Sequence, residues 1–319
     1  MKQAGIIGGG GYTAGELIRI LTNHPEVELR FVQSQSQAGK PLSEVHEDLL
    51  GEVDMSFTAE PALDEADILF LCMGHGRSAQ FLAQTKLPED QLLIDLSHDF
   101  RLHPDWTYGL PEWQAERIAG ARRIANPGCF ATAIQLALLP LAAAALLKHD
   151  VHIHAITGST GAGQSPRATS HFSWRNNNLS VYKPFQHQHL AEISQTLTRL
   201  QAGFSAQLNF LPLRGNFARG IFASLYTTSE LTENQARELY TDFYAEAPFT
   251  IVSDQNPNLK QVVNTNKCIL HLERHQDKLL VISAIDNLLK GASGQAVENM
   301  NLACGFARAQ GLRLKAMAF

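Results

Sequence analysis

A chain of 319 residues with 45% hydrophobic and 18% charged residues is long enough for two lobes around a cleft and too apolar for extended disorder. Its net charge of −5 excludes a broad nucleic-acid footprint, which needs a basic excess. Four widely spaced cysteines, Cys72, Cys129, Cys268 and Cys304, without a cationic, apolar leader, argue against a disulfide framework and for a reducing cytoplasm.

Residues 3–7 (QAGII) are a short apolar run ending in Gly8, Gly9, Gly10 and Gly11, and residues 15–22 space leucine and isoleucine for one helical face, so strand, turn and helix follow in order. Residues 27–32, 68–72 and 92–96 read as further buried strands between helices and loops. That alternation predicts an α/β fold with a Rossmann-type, doubly wound parallel sheet. Residues 129–147 (CFATAIQLALLPLAAAALL) carry no charge and are long enough to cross a bilayer. Their apolarity leans on alanine, they include Gln135 and Pro140, and no second such segment exists, so the prediction is a buried helix, kinked or ended near Pro140, and no membrane partner. Strands at 151–157, 207–211, 220–227, 267–272 and 278–284 then predict an α+β domain with a mixed sheet. No solenoid-period repeat or low-complexity tail is visible.

The spacing Gly8-x-x-Gly11-x-x-Ala14 between strand and helix suits backbone amides facing a dinucleotide pyrophosphate, the alternative being a tight turn that needs glycine for conformation only. An NAD site presents an acidic residue after the second strand; here Gln33, Ser34, Gln35 and Ser36 stand there, with Lys40 beyond. These tolerate a 2′-phosphate, so NADP(H) is favoured over NAD, against the alternative of a solvated polar loop. Cys129 opens the long apolar helix, where the macrodipole favours a thiolate; a small buried hydrophobe is the alternative, and it stands for the other three cysteines. An acid/base partner is available in residues 187–193, where three-residue spacing puts His189 and Glu192 on one helical face. His187 and His189 lack the companion motifs of a zinc site, so no metal is expected. Ser159, Gly161 and Gly163 lie in a small, hydroxyl-rich loop suited to phosphate or nicotinamide, or else a flexible hairpin. Arg219, entering an apolar strand, clamps a substrate anion or forms a structural ion pair.

Together these pieces resemble the N-acetyl-γ-glutamyl-phosphate reductase family of arginine biosynthesis, relatives of aspartate-semialdehyde dehydrogenase. The resemblance spans nearly the whole chain through residues 8–17 (GGGGYTAGEL), 95–102 (DLSHDFRL), 108–112 (YGLPE), 126–129 (NPGC), 158–163 (GSTGAG), 187–193 (HQHLAEI) and 286–301 (DNLLKGASGQAVENMN). It implies Cys129 as nucleophile, His189 as acid/base with Glu192 behind it, and His187 as a substrate contact; Arg219, Arg214 and Ser159 are further candidate substrate contacts read from the chain itself. Cofactor contacts are expected at Gly8, Gly10, Gly11, Tyr12, Thr13, Ala14, Ser34, Ser36, Gly161, Gly163, Asn287 and Lys290. It further implies an NADP-binding domain at 1–128, a catalytic and dimerisation domain at 129–289, a C-terminal helix at 290–319 returning to the first domain, and a homodimer or homotetramer.

The implied reaction is thiolate attack on an acyl phosphate, loss of phosphate, and reduction of the thioester by NADPH to a semialdehyde. Alternatives are the same reaction on an N-succinyl substrate, another semialdehyde dehydrogenase, or a non-catalytic NADP sensor. The family commonly reads Phe-x-Pro-His-x-x-Pro where this chain has Phe210-Leu211-Pro212-Leu213-Arg214-Gly215-Asn216, and Gly74 replaces a frequent proline. Arg214 is thus an added cation beside the substrate strand, suited to an extra carboxylate on the acyl group; a surface arginine or fold-stabilising pair is the alternative.

Overall fold

Residues 1–318 are described by a computed structural model, in which the chain forms two units, 1–128 with 292–313 and 129–291 with the residues from Leu314. The first unit runs β1 (Lys2–Ile7), α1 (Tyr12–Leu21), β2 (Val27–Gln33), β3 (Ile68–Leu71), α2 (Arg77–Gln84), β4 (Leu92–Asp95), β5 (Thr107–Tyr108), α3 (Pro111–Ala119) and β6 (Arg123–Ala125). Its six strands are ordered β2-β1-β3-β4-β6-β5 and every pairing is parallel. β3 and β4 are buried along their whole length, which explains why they read as unbroken apolar runs instead of alternating ones. The order turns back at β1, whose neighbours are β2 on one side and β3 on the other, so the glycine loop after β1 sits at the switch point where such sheets hold ligands.

The second unit contains α4 (Cys129–Ala143), β7 (Val151–Thr157), α5 (Phe172–Arg175), β8 (Ser180–Val181), α6 (His189–Leu200), β9 (Leu208–Arg214), β10 (Ile221–Thr228), α7 (Glu233–Phe243), β11 (Thr250–Ser253), β12 (Cys268–His275) and β13 (Lys278–Ile285). Its seven strands are ordered β11-β12-β13-β10-β7-β9-β8; β7 pairs β9 and β11 pairs β12 in parallel, and the other pairings are antiparallel. β7 and β10 alternate buried and open residues, so one face of this mixed sheet is covered, chiefly by α4 with α6 and α7 alongside.

Pro140 neither ends α4 nor leaves it with an orphaned acceptor. The helix runs on to Ala143 and stops where Ala145 takes φ 54° and the Leu146 N–H returns to the Leu141 carbonyl at 2.8 Å. Proline cannot donate to the carbonyl four residues back, and that carbonyl, on Leu136, accepts the Tyr244 hydroxyl instead. No helix of the described residues is long and apolar enough to cross a membrane.

The last helix, α8 (Ser293–Ala303), belongs to the first unit and packs on α1 and α3. Ser293 Oγ donates to the Thr13 carbonyl at 2.7 Å, and His24 Nε2 lies 3.0 Å from Asn301 Oδ1. Where a single C-terminal segment over 290–319 is the sequence expectation, the structure divides that stretch. Residues 292–313 lie with the first unit, whereas the Met317 and Ala318 amides bond to the Val263 and Lys260 carbonyls of the second.

Candidate active site

Cys129 is the first residue of α4, a helix whose other residues are buried as far as Ala142, while the cysteine itself is only partly buried. A nucleophile needs this combination of access and an oriented helix N-terminus. Its packing is tight, because a Cβ on Gly291 would stand 2.8 Å from Cys129 Cβ and 2.7 Å from the Asn287 carbonyl oxygen. Cys72 is also partly buried, but desolvation, reinforced by the Asp95 charge, pushes its thiol far up and disfavours the thiolate.

Phe130, next to the cysteine, ties the histidine segment to α4. Its ring lies 5.4 Å from His187, 6.3 Å from His189 and 5.2 Å from Phe210 of β9. His189 opens α6 and is buried, with Nε2 3.9 Å from Glu192 Oε1, itself 3% exposed. The two histidine rings are 4.5 Å apart, and His187 Nδ1 accepts the His189 backbone N–H at 3.3 Å. That bond puts the His187 proton on Nε2. Burial, with the Lys183 and Arg214 charges behind it, pushes His187 down to about 4, so its ring is neutral near pH 7. His189 differs from it in having a carboxylate, Glu192, at hand.

Arg219 takes the structural alternative left open by the sequence. Its Nε and Nη2 meet Asp286 Oδ2 at 3.1 and 2.9 Å, and Asp286 is fully buried and also accepts the Asn264, Leu288 and Leu289 amides. Asn287 accepts the Gly220 amide at 2.7 Å and donates to Thr160 Oγ1 at 3.0 Å, stitching the start of β10 to the hydroxyl-rich loop. Ser159 is partly buried in that loop, Gly161 and Gly163 are exposed, and Lys290 is fully buried. Arg214 ends β9 with its guanidinium 4.5 Å over the Tyr182 ring.

In the first unit, the glycine loop fits a dinucleotide. Gly8 has φ 86°, and a Cβ there would meet the Met73 backbone at 2.8 Å, whereas a Cβ on Gly11 would meet nothing within 4 Å. Gly11 caps α1 without a side-chain hydrogen bond, so the first-turn amides of Tyr12, Thr13 and Ala14 have no side-chain cap. Ser34 Oγ lies 3.6 Å from the position of a Gly10 Cβ and is buried; Ser36 is exposed. Among the described residues no cluster of three or more His, Cys, Asp or Glu is arranged to hold a metal.

Two residues of the cysteine neighbourhood have no sequence signal. Tyr182 and Arg175 lie in a polar stretch without periodicity, yet Tyr182 is 5.8 Å from His187 and its hydroxyl, pushed well up by burial, feels the Cys129 charge. Arg175 is buried and donates to the Arg214 carbonyl at 2.7 Å.

Residues 3–121 match the family model "Semialdehyde dehydrogenase, NAD binding domain" and residues 129–287 match "Semialdehyde dehydrogenase, dimerisation domain". The aspartate semialdehyde dehydrogenase II of Vibrio cholerae, solved with ASA, aligns with a TM-score of 0.75 at 15% identity over 96% of this chain and 98% of that one. The enzyme from Francisella tularensis aligns with a TM-score of 0.72 at 15% identity, over 95% of this chain and 99% of that one. These likenesses establish the fold of a semialdehyde dehydrogenase. Proteins named N-acetyl-gamma-glutamyl-phosphate reductase from Parabacteroides distasonis and Phocaeicola vulgatus are each 56% identical over the full length of both chains, and one from Bacteroides fragilis is 55% identical over the same extent. The chain belongs to the N-acetyl-gamma-glutamyl-phosphate reductase family.

Proposed function

We propose that the protein is an NADP-dependent oxidoreductase that reduces N-acetyl-γ-glutamyl phosphate to N-acetylglutamate 5-semialdehyde and phosphate, a step of arginine biosynthesis in the cytoplasm. The observation that carries the reading is the thiol of Cys129 at a helix N-terminus, beside a histidine pair of which one member is held neutral and the other has a carboxylate. The Cys129 thiolate attacks the acyl carbon, the C–O bond to phosphate breaks, and an enzyme thioester forms. A bound nicotinamide supplies the hydride that this thioester accepts. His189 then donates a proton to the developing alkoxide, Glu192 steadies the imidazolium, and His187 offers Nε2–H to the substrate oxygen. The tetrahedral adduct collapses as His189 takes that proton back, returning the thiolate and freeing the aldehyde.

Residues Tyr12 to Ala14, with Gly10 and Gly11, would hold the pyrophosphate on their amides, with Gly8 making the turn and its own amide on the Gln33 carbonyl, and Ser34 and Ser36 would hold a 2′-phosphate. The absence of an acidic residue after β2 supports NADP in a domain whose matched model is described only as NAD binding. The dimerisation-domain match and the exposed Phe172, Leu179, Val181 and Phe185 of the second unit support a homodimer or homotetramer. Reverse-direction assay with N-acetylglutamate semialdehyde, phosphate and NADP tests the activity. Turnover of that substrate is expected; turnover of aspartate semialdehyde in its place would reassign the enzyme.

A further inference from the structure

Along β9 the two-residue period places Phe210, Pro212 and Arg214 on one face, and Phe210 on that face packs against Phe130 and lies 5.5 Å from His187. Arg214 is therefore aimed at the cysteine side of the sheet. Its guanidinium stacks on Tyr182 and hydrogen-bonds the hydroxyl that also feels Cys129. Among the described residues no carboxylate pairs with Arg214, and its buried Nε has no hydrogen-bond partner.

The surroundings add more positive charge. Arg175 is buried beside it, bonding the Arg214 and Thr169 carbonyls at 2.7 and 3.1 Å and Ser180 Oγ at 3.2 Å, with no carboxylate either. The Lys183 ammonium donates to the Gln188 amide oxygen at 3.1 Å. Glu192, the acid of this neighbourhood, stands next to His189. Two guanidiniums and an ammonium so gathered repel one another until an anion arrives. Arg219 shows the contrast, since its charge is answered by Asp286 within the fold.

We infer that Arg214, positioned by Tyr182, is a specificity-determining residue that binds a carboxylate of the substrate. The inference rests on the reductase reading given above. The Tyr182 ring lies 5.8 Å from His187 and beneath the Arg214 guanidinium, so that guanidinium lies an aromatic side chain away from the histidine pair. That separation suits the far end of an N-acylglutamyl chain, beyond its methylenes, and not the phosphate that departs from the attacked carbon. A stacked, planar guanidinium with a spare Nε–H matches the two oxygens of a carboxylate. Two carboxylates qualify: the α-carboxylate common to all N-acylglutamyl substrates, and the distal one of a dicarboxylic acyl group.

The test is reverse-direction kinetics of the full-length enzyme and of Arg214→Gln, which removes the charge and keeps a planar polar end group, with Arg214→Ala as a second variant. The substrates are N-acetylglutamate semialdehyde, N-succinylglutamate semialdehyde and 4-acetamidobutanal, which lacks the α-carboxylate. The expected result is a rise in semialdehyde KM of about tenfold or more, the scale of a lost charge-assisted pair, with kcat and the phosphate KM little changed. An equal rise for both glutamyl substrates and none for 4-acetamidobutanal identifies the α-carboxylate; a rise confined to the succinyl substrate identifies the acyl carboxylate. The same change on all three substrates, no change on any, or a rise in the phosphate KM alone overturns the inference while leaving the reductase reading intact. A wild-type enzyme inactive on all three removes that reading and the inference with it.

Discussion

The two units divide the chemistry in different ways. In the first, α1 begins without a side-chain cap and the space above Gly11 is open, while the Gly8 and Gly9 amides are held by the Gln33 carbonyl. In the second, His187 and His189 pack on Phe130, the residue after Cys129, Glu192 stands beside His189, and even the arginine that enters β10 has its own buried carboxylate. An open set of amides is a binding device and a packed set of titratable groups is a reactive one. Substitutions in the first unit should then move cofactor affinity with the thiol chemistry intact, and those in the second should do the reverse.

The largest effect is expected for Cys129→Ser, which should reduce turnover below detection while the NADPH dissociation constant, read by fluorescence, changes less than about threefold. Coupled loss of both would break the division. His189→Asn should lower kcat about a hundredfold, the usual scale for a lost acid/base group, with a smaller loss for His187→Asn; the reverse order would exchange their roles. In the first unit, Gly11→Ala separates a cofactor cradle from a turn that merely needs glycine. The added Cβ meets no protein atom within 4 Å, so thermal stability should hold while NADPH affinity falls; unchanged affinity would favour the turn. Ser34→Asp should weaken NADPH by about tenfold and leave NADH nearly untouched, because the carboxylate would oppose a 2′-phosphate.

The smallest effect concerns acid. The folded His187 stays neutral down to about pH 4, while in the unfolded chain it takes a proton below its ordinary value of 6.5. Between those values the unfolded chain holds more protons, so stability rises with pH and is lost as the solution is acidified through that window. His187→Asn should flatten that part of the stability profile in denaturant titrations; a slope unchanged by the substitution would show that the ring is not held neutral.

What could be read from sequence follows the same division. Cys129, the glycine loop and the His189/Glu192 pair are encoded within a few residues each, so local spacing exposes them. The doubly wound sheet is legible too, because β3 and β4 are apolar on both faces. Long-range partners are not. Arg219 reads equally as a substrate clamp or an ion pair until Asp286, 67 residues on, comes to meet it. Pro140 reads as a kink or a nearby end of the helix because the Tyr244 hydroxyl that satisfies Leu136 is 108 residues away from it in the chain. Tyr182 is invisible for another reason: its stretch has no period, and only the fold brings it under Arg214.

The covalent thioester on Cys129 is the centre of the account, and withholding phosphate in the reverse direction tests it most directly. Enzyme mixed with N-acetylglutamate semialdehyde and NADP alone should release NADPH in a burst stoichiometric with active sites and then stop. The peptide carrying Cys129 should gain the mass of the acyl group, and added phosphate should discharge it. Steady NADPH formation without phosphate, or a burst with no adduct on Cys129, would contradict the mechanism.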